Sequence, residues 1–438
     1  MNNSLFKYQL YLLRKSNKAK QIVRKNNRRK YKVKKQNKIQ KTWKSNYYCE
    51  IAEYLMENVS SIKLDDKTLS SLTIEIPRNF SFCENTDDTI AVYENLIAIC
   101  KTDPLQEIVI DFSNCDAIGL GAAFFLGQLM ESIKIQNKYD HTKDRGKRIS
   151  FQAKTSSKEI VNVIAGVSGV YKDIHSGGLY KFPELFPVII GHESSYVATK
   201  IIKYFNRCLS KNNYSFNKSA RQLMVRLVSE VVDNCSIHGG KDPKWATYAW
   251  YNNTRKAYEY GECHIVIVNT GDTIYQGLRQ LGYENNLAAD LRKLSGKHSG
   301  LFSKKGYTEE SLWTLYSLQQ GVSRLQGHDV RRGSGTYNYI ESFLSLGNHT
   351  EYRSQMSINS GRASIYIDGT YNFHDIKDID DSIIKVLTFN DSNSFDEPPD
   401  LHFVRALKRR FPGTMVSIRI GLSEEEVEKN DANRFEQL

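Results

Sequence analysis

The sequence predicts a mixed helix-and-strand protein of two domains, the first α/β and the second α/β to α+β in character, behind a basic arm. Three observations carry this. The chain has 438 residues, more than the roughly 100–200 of a usual domain. Strand-like and helix-like apolar patterns alternate from about residue 65 onward, as layered folds require. The charge is unevenly spread: residues 1–49 hold 16 Lys and Arg and no Asp or Glu, leaving 45 basic against 49 acidic side chains in the rest. The boundaries that follow are a basic tail over 1–49, domains over 65–178 and 185–425, and a charged tail over 426–438.

Composition excludes several classes. Apolar residues make up 40% and charged residues 25% of the chain, with only 8 Pro, which suits folded and not low-complexity protein. No apolar run is long enough to span a bilayer, and the first residues lack the apolar stretch of a secretion signal; a cytoplasmic protein is expected. The seven cysteines include no Cys-x-x-Cys pair, so neither a zinc site nor a disulfide framework is implied.

The arm repels itself and attracts polyanions. Counterion release makes such a segment a sequence-tolerant, salt-sensitive binder of DNA or RNA phosphates, and Tyr31 and Trp43 offer faces on which bases can stack. An acidic protein surface or anionic lipid would satisfy the same charge.

In the first domain, Leu72–Pro77 alternates as a strand, Asp87–Cys100 has helical spacing and Glu107–Phe112 reads as a buried strand. Leu120–Ile135 is helical again, Arg148–Gln152 a strand and Ser157–Val170 a helix. The run from Ile108 through Asp116, Ala117, Ile118, Gly119, Leu120 and Gly121 resembles the strand–loop–helix of STAS (anti-sigma-factor antagonist) domains, whose loop reads Asp-Ser-Ser-Gly-Leu-Gly. The resemblance implies a protein-docking module. The family's phosphorylated Ser is here Ala117, so phosphorylation at that position is chemically impossible.

In the second domain, Leu223, Met224, Leu227, Val228 and Val231 form a helical stripe. Glu230, Asn234 and His238 follow one another at steps of four along one edge of it, because each step turns only about 40°. A carboxylate and an amide at a helix–sheet junction suit a divalent metal with phosphates. Strand Cys263–Val268 then runs into Asn269, Thr270, Gly271, Asp272 and Thr273. A long Gly- and Lys-containing segment follows over 276–329, with a helix expected over Glu309–Leu325. Arg331–Tyr337, including Gly333, Gly335 and Thr336, opens an apolar helix over Tyr339–Leu346, a sequence suited to phosphate because exposed N–H groups and the helix dipole attract anions. Arg353–Asp368 reads as a hairpin, 376–400 as an acidic insertion, and Phe411–Ile420, with Gly413 and Thr414, as a final strand.

These four segments, in this order, resemble the boxes of the GHKL (Bergerat-fold) ATPases, which include gyrase B, Hsp90, histidine kinases and anti-sigma kinases. The resemblance implies an α/β sandwich that binds ATP with Mg²⁺. Asn234 would ligate the metal and Glu230 would activate the attacking water. His238, Asn269, Gly271, Thr273, Gly333, Gly335, Thr336 and Thr414 would contact the nucleotide, and segment 276–329 would be the lid, with Lys297, His298, Lys304 and Lys305 over the phosphates. Asn269 and Thr273 depart from the family's Asp-x-Gly-x-Gly: the amide can still accept from an adenine amino group but lacks the charge.

The implied function is a Mg-dependent ATPase whose lid closure controls a partner, a nucleic acid or association into a homodimer, in bacterial regulation, stress response or antiviral defence. Alternatives are an anti-sigma-like protein-serine kinase and a non-hydrolysing ATP sensor. A two-component kinase is disfavoured because neither His175 nor His192 sits in a dimerisation helix ahead of Glu230.

Overall fold

The structure is a computed structural model that describes residues 72–102, 107–140, 149–171, 185–238, 245–253, 259–282, 285–298, 306–322, 335–347, 354–377 and 383–430. It gives backbone only for 101–102, 136–140 and 238. The basic arm, Gly333, Lys304 and Lys305 lie outside the described residues. All the described residues belong to one compact unit.

The first half runs β1 (Thr73–Glu75), β2 (Asn79–Phe80), α1 (Thr86–Thr102), β3 (Glu107–Asp111), β4 (Ala117–Ile118), α2 (Leu120–Asp140), β5 (Ser150–Lys154) and α3 (Glu159–Val167). Strands β1, β3 and β5 make a parallel sheet in that spatial order. Ile108 and Ile110, two residues apart on β3, are fully buried, as the period of a strand with a covered face demands. At the end of β3, Asp111 accepts from the Ser113 N–H and from Lys154 Nζ, both at 2.9 Å. Burial alone would raise this carboxyl, but those bonds outweigh it and hold it below the usual range. Beyond it the chain turns through Asp116, pairs β4 with β2 and enters α2.

The second half runs β6 (Ile189–Ile190), α4 (Ser194–Ser210), β7 (Tyr214–Phe216), α5 (Lys218–His238), β8 (Trp245–Asn252), β9 (Glu262–Asn269), α6 (Ile274–Arg279), α7 (Asn286–Gly296), α8 (Glu309–Tyr316), α9 (Gly335–Leu344), β10 (Gln355–Ile367), β11 (His374–Lys377), β12 (Ile383–Val386), β13 (Val404–Gly421) and β14 (Val427–Lys429). Its main sheet has the order β10-β13-β9-β8-β6, every pair antiparallel. All eight residues of β8 and of β9 are buried, so both sheet faces are covered.

Helices α4 and α5 cover one face; Tyr204 of α4, for example, accepts from the Tyr251 N–H of β8 at 3.2 Å. The first half covers the other. There Phe124 of α2 stacks on Tyr248 with ring centroids 5.3 Å apart, and the Tyr248 hydroxyl donates to the Val167 carbonyl at 2.6 Å. Phe411 meets Phe82 and Phe125 edge-on or tilted, at 5.3 and 5.0 Å. Arg405 donates to the Cys83 carbonyl at 2.6 Å and the Arg409 N–H to Asp87 at 2.9 Å. The two halves therefore share one apolar core, each buried aromatic contributing about 2 kcal/mol.

Several sequence expectations need correction. The stretch expected as a hairpin over Arg353–Asp368 contains one strand, β10, kinked by register shifts at Ser360–Gly361. Ser-Gly mimics a turn, but Gly361 adopts a φ of 59° to form a bulge whose next N–H, that of Arg362, donates to Glu310 at 3.0 Å. The helix expected to reach Leu325 stops at Tyr316, and the chain then turns through Gly321, with a φ of 83°. The strand expected over Arg148–Gln152 lies at Ser150–Lys154, and the helix over Ser157–Val170 is limited to Glu159–Val167. Helix α4 and strand β8 were not foreseen.

Candidate functional site

Helix α5 turns Met224, Leu227, Val228, Val231, Val232 and Cys235 into the core, which leaves Glu230 and Asn234 half-buried on the edge that meets α9. The two helices approach closely because α9 begins with glycine. A Cβ on Gly335 would lie 3.0 Å from Glu230 Oε2 and 3.4 Å from Asn234 Oδ1, so both oxygens converge on the first turn of α9. From the same turn, Asn338 Nδ2 donates to Glu230 Oε1 at 3.2 Å. Arg226 donates to Asn338 Oδ1 and pairs with Glu341 at 3.3 Å.

The ends of the central strands make the floor. Asn269, the last residue of β9, is in register with Thr414 of β13. Its Oδ1 accepts from the Gly271 N–H at 2.8 Å, and its Nδ2 donates to the Cys235 carbonyl at 3.4 Å. Thr414 Oγ1 lies 2.8 Å from Ser360 Oγ, which accepts from the Ile274 N–H at 2.9 Å. This junction requires glycine at 413: its φ is 107°, and a Cβ there would fall 2.1 Å from the Asn269 carbonyl oxygen.

Together these elements enclose a cleft of about 140 Å³. Engineered apolar cavities of about 150 Å³ hold benzene, so a flat ring fits inside and a larger ligand would extend outward. Val231, Ile274, Leu278, Tyr339, Ile358 and Val416 supply apolar wall; Asn234, Asn269, Asp272, Thr336 and Thr414 supply polar groups. This combination of apolar lining with a few convergent polar groups is that of a ligand pocket. The buried Cys235 thiol is pushed up to about 12, so it acts here as an apolar wall and not as a nucleophile.

Of the residues singled out from sequence, Asn234, Asn269, Thr273, Gly335, Thr336 and Thr414 line this cleft. Glu230 lies beside it, in a groove along α5 with Arg226 and Asp233. Gly271 does not line the cleft, and its N–H is taken by Asn269. The Thr273 hydroxyl accepts from the Gln276 N–H at 3.1 Å, capping α6. His238 ends α5, its side chain outside the described residues. Sequence reasoning missed Asp272, Ile274, Leu278 and Tyr339. The spacing of Ile274 and Leu278, one turn apart just after the Gly271 turn, was the available signal.

The segment expected as a lid contains α7 and α8, and the acidic insertion packs against it. Lys297 pairs with Asp396 at 2.5 Å and His298 Nε2 lies 3.0 Å from the Phe395 carbonyl, so these two side chains engage the insertion. Gln319 accepts from the Leu387 N–H at 2.7 Å and donates to its carbonyl at 3.1 Å. Among the described residues no cluster of three or more His, Cys, Asp or Glu could hold a metal, and no helix is long and apolar enough to cross a membrane. No family model, curated protein or solved structure matches the chain.

Proposed function

We propose that the cleft binds a nucleoside triphosphate with Mg²⁺ and that the protein is a slow ATPase of the GHKL type. The observation that carries this reading is convergence: Asn234, Asn269, Thr336 and Thr414, from four separate segments, line a single cleft. The base would sit on the sheet ends at Asn269 and Thr414. The phosphates would meet the N–H groups that open α9, where the helix dipole favours anions.

The residues fit a magnesium ion. Mg²⁺ commonly keeps most of its ligands as phosphate and water and takes only one or two oxygens from the protein. Asn234 Oδ1 offers one such oxygen at the start of α9, where glycine leaves the space open. When bound, the ion would neutralise phosphate charge. Glu230, half-buried and held by Asn338, would orient a water and accept its proton.

The first half is proposed as a STAS-like docking module. Its Asp116–Leu120 loop lines a polar cavity with Glu262, His264, Ser417 and Arg419. Strand alternation puts those side chains on the sheet face opposite Thr414 and Val416, so residue 117 lies across the sheet from the cleft. That separation favours ATPase or switch over a kinase that phosphorylates its own first half. The basic arm is proposed to bind DNA or RNA; removal of residues 1–46 should abolish salt-sensitive binding, and unchanged binding would refute that role.

Phosphate release from ATP by the full chain, compared with Glu230→Ala, tests the enzymatic reading. Turnover that requires Mg²⁺ and Glu230 supports it. Nucleotide binding without turnover in either protein would instead make the protein an ATP sensor.

A further inference from the structure

We propose that helix α4 carries a second nucleic-acid contact on the folded body: its outer ridge binds the phosphate backbone of double-stranded DNA without reading sequence. This inference rests on the nucleic-acid reading of the basic arm and goes beyond it, because the contact lies in a different part of the chain. With only a few cations, the ridge adds to the grip of the arm and does not replace it.

The ridge follows from the helix itself. Val197, Ile201, Phe205 and Cys208 turn inward and are buried, as one side of an amphipathic helix on a sheet must be. Tyr196, Lys200, Lys203 and Arg207 are all exposed and fall within about 60° of one another at about 100° per residue. Lys211, just past the helix end, is exposed and continues the row. No Asp or Glu occurs between Ser194 and Lys211, although residues 50–438 as a whole hold 45 basic against 49 acidic side chains. Lys200, Lys203, Arg207 and Lys211 follow at steps of three or four, the spacing at which like charges repel and cost helix stability. A merely solvated face would interleave the signs. Among the described residues Lys203 and Lys211 form no ion pair, so their charge is available to a ligand.

Double-stranded DNA is the partner this ridge fits. From Lys200 to Lys211 it runs about 16 Å, a length over which a DNA duplex carries about ten phosphate charges. A straight row of cations suits that regular array. Single strands are instead held in grooves with aromatic platforms; the one ring on this ridge, Tyr196, already stacks on His192 at 4.6 Å and lies under Lys200 Nζ at 5.3 Å. RNA is distinguished through its 2′-hydroxyl, which donates as well as accepts, whereas cations only donate. A helix that lies on a lipid surface draws on apolar side chains that enter it, and none is exposed between Lys200 and Lys211. At the turn into α5, Lys218 and Arg221 extend the positive surface, while Glu425 and Glu428 border it on the β14 side. There Asn217 Nδ2 donates to the Glu425 carbonyl at 2.5 Å, and Glu428 is in register with Ser215 of β7. The duplex therefore lies along α4 and not across the turn.

The test is the salt dependence with which the full chain binds a fluorescent DNA duplex of random sequence. The triple variant Lys203→Gln, Arg207→Gln, Lys211→Gln is compared with a control, Lys158→Gln, Lys293→Gln, Lys408→Gln, that removes the same charge from exposed sites elsewhere. The expected result at about 0.1 M salt is affinity at least about tenfold weaker in the ridge variant than in the control, with a log–log salt slope smaller by about three, one for each lost phosphate contact. Bound duplex should also slow acetylation of Lys203 and Lys211 while Lys158 and Lys408 react as before. Equal affinities of ridge variant and control, or no protection of Lys203 and Lys211, would overturn the inference and leave the arm as the sole contact. Single-stranded DNA, duplex RNA or phosphatidylserine vesicles bound more tightly than the DNA duplex, with that binding lost in the ridge variant, would overturn the choice of partner. The arm reading fails separately, if removal of residues 1–46 leaves DNA binding unchanged.

Discussion

Asn338 donates its amide to the Glu230 carboxylate at 3.2 Å, joining the first turn of α9 to the polar edge of α5. One carboxylate oxygen is thereby fixed while the other lies beside Gly335, where the phosphate-binding turn is proposed. Glu230→Ala should keep nucleotide affinity and lose about a hundredfold or more in kcat, the usual scale for a removed general base. Asn338→Ala should give a smaller fall in kcat with KM unchanged, because it loosens the base without touching the nucleotide. Steady-state kinetics separate these outcomes. A rise in KM at constant kcat in Asn338→Ala would assign Asn338 to binding.

Gly413→Ala is expected to be strongly destabilising. An L-residue at a φ of 107° is strained, and its Cβ would collide with the Asn269 carbonyl oxygen, so β13 and β9 must separate locally. A loss of more than about 2 kcal/mol should appear in urea unfolding, with weaker nucleotide binding because Asn269 moves too. An unchanged unfolding midpoint would show that this strand junction tolerates a side chain.

Gln319 ties the segment that follows α8 to the insertion by bonding both backbone groups of Leu387. Replacing it with Ala leaves a buried donor and acceptor unpaired, at about 1–3 kcal/mol each. Limited proteolysis of Gln319→Ala should cut within 383–403 faster than in the wild type, with the rest of the digestion pattern retained. Identical rates would mean that the surrounding apolar packing, such as Tyr316 against Phe395, holds the insertion alone.

Burial pushes the Cys100 and Cys235 thiols up to about 12 and Cys115 up to about 11. The folded chain retains these protons above the ordinary thiol range while the unfolded chain releases them. Their stabilisation is therefore complete below about pH 8.5 and is lost as pH rises toward these folded values. The urea midpoint should fall over that window, and iodoacetamide at about pH 8 should leave Cys235 unlabelled in the native protein. Stoichiometric labelling of native Cys235 would contradict its burial.

The legibility of the sequence varied with how local each signal was. The stripe from Leu223 to Val231 and the edge bearing Glu230 and Asn234 follow from helical spacing alone. The approach of Gly335 to those residues depends on where α9 packs, and only its place in the order of segments pointed there. Thr273 looked like a ligand-facing loop residue, but its hydroxyl also fits a helix cap, a local competition that spacing does not resolve. The β10 kink was misread because Ser360–Gly361 has turn chemistry, and the partner that makes it a bulge, Glu310, lies far away in sequence. The docking of Phe124 on Tyr248 is similarly non-local. Both rings look like ordinary core residues of separate domains until the shared core is seen.

Calorimetric titration of ATP into the full chain, with and without Mg²⁺ and in parallel with Asn234→Ala, tests the central claim most directly. One nucleotide per chain is expected in the wild type, with binding that depends on Mg²⁺ and is lost in Asn234→Ala while the variant keeps the wild-type unfolding midpoint. Wild-type affinity in folded Asn234→Ala, or no ATP binding by the wild type, would contradict it.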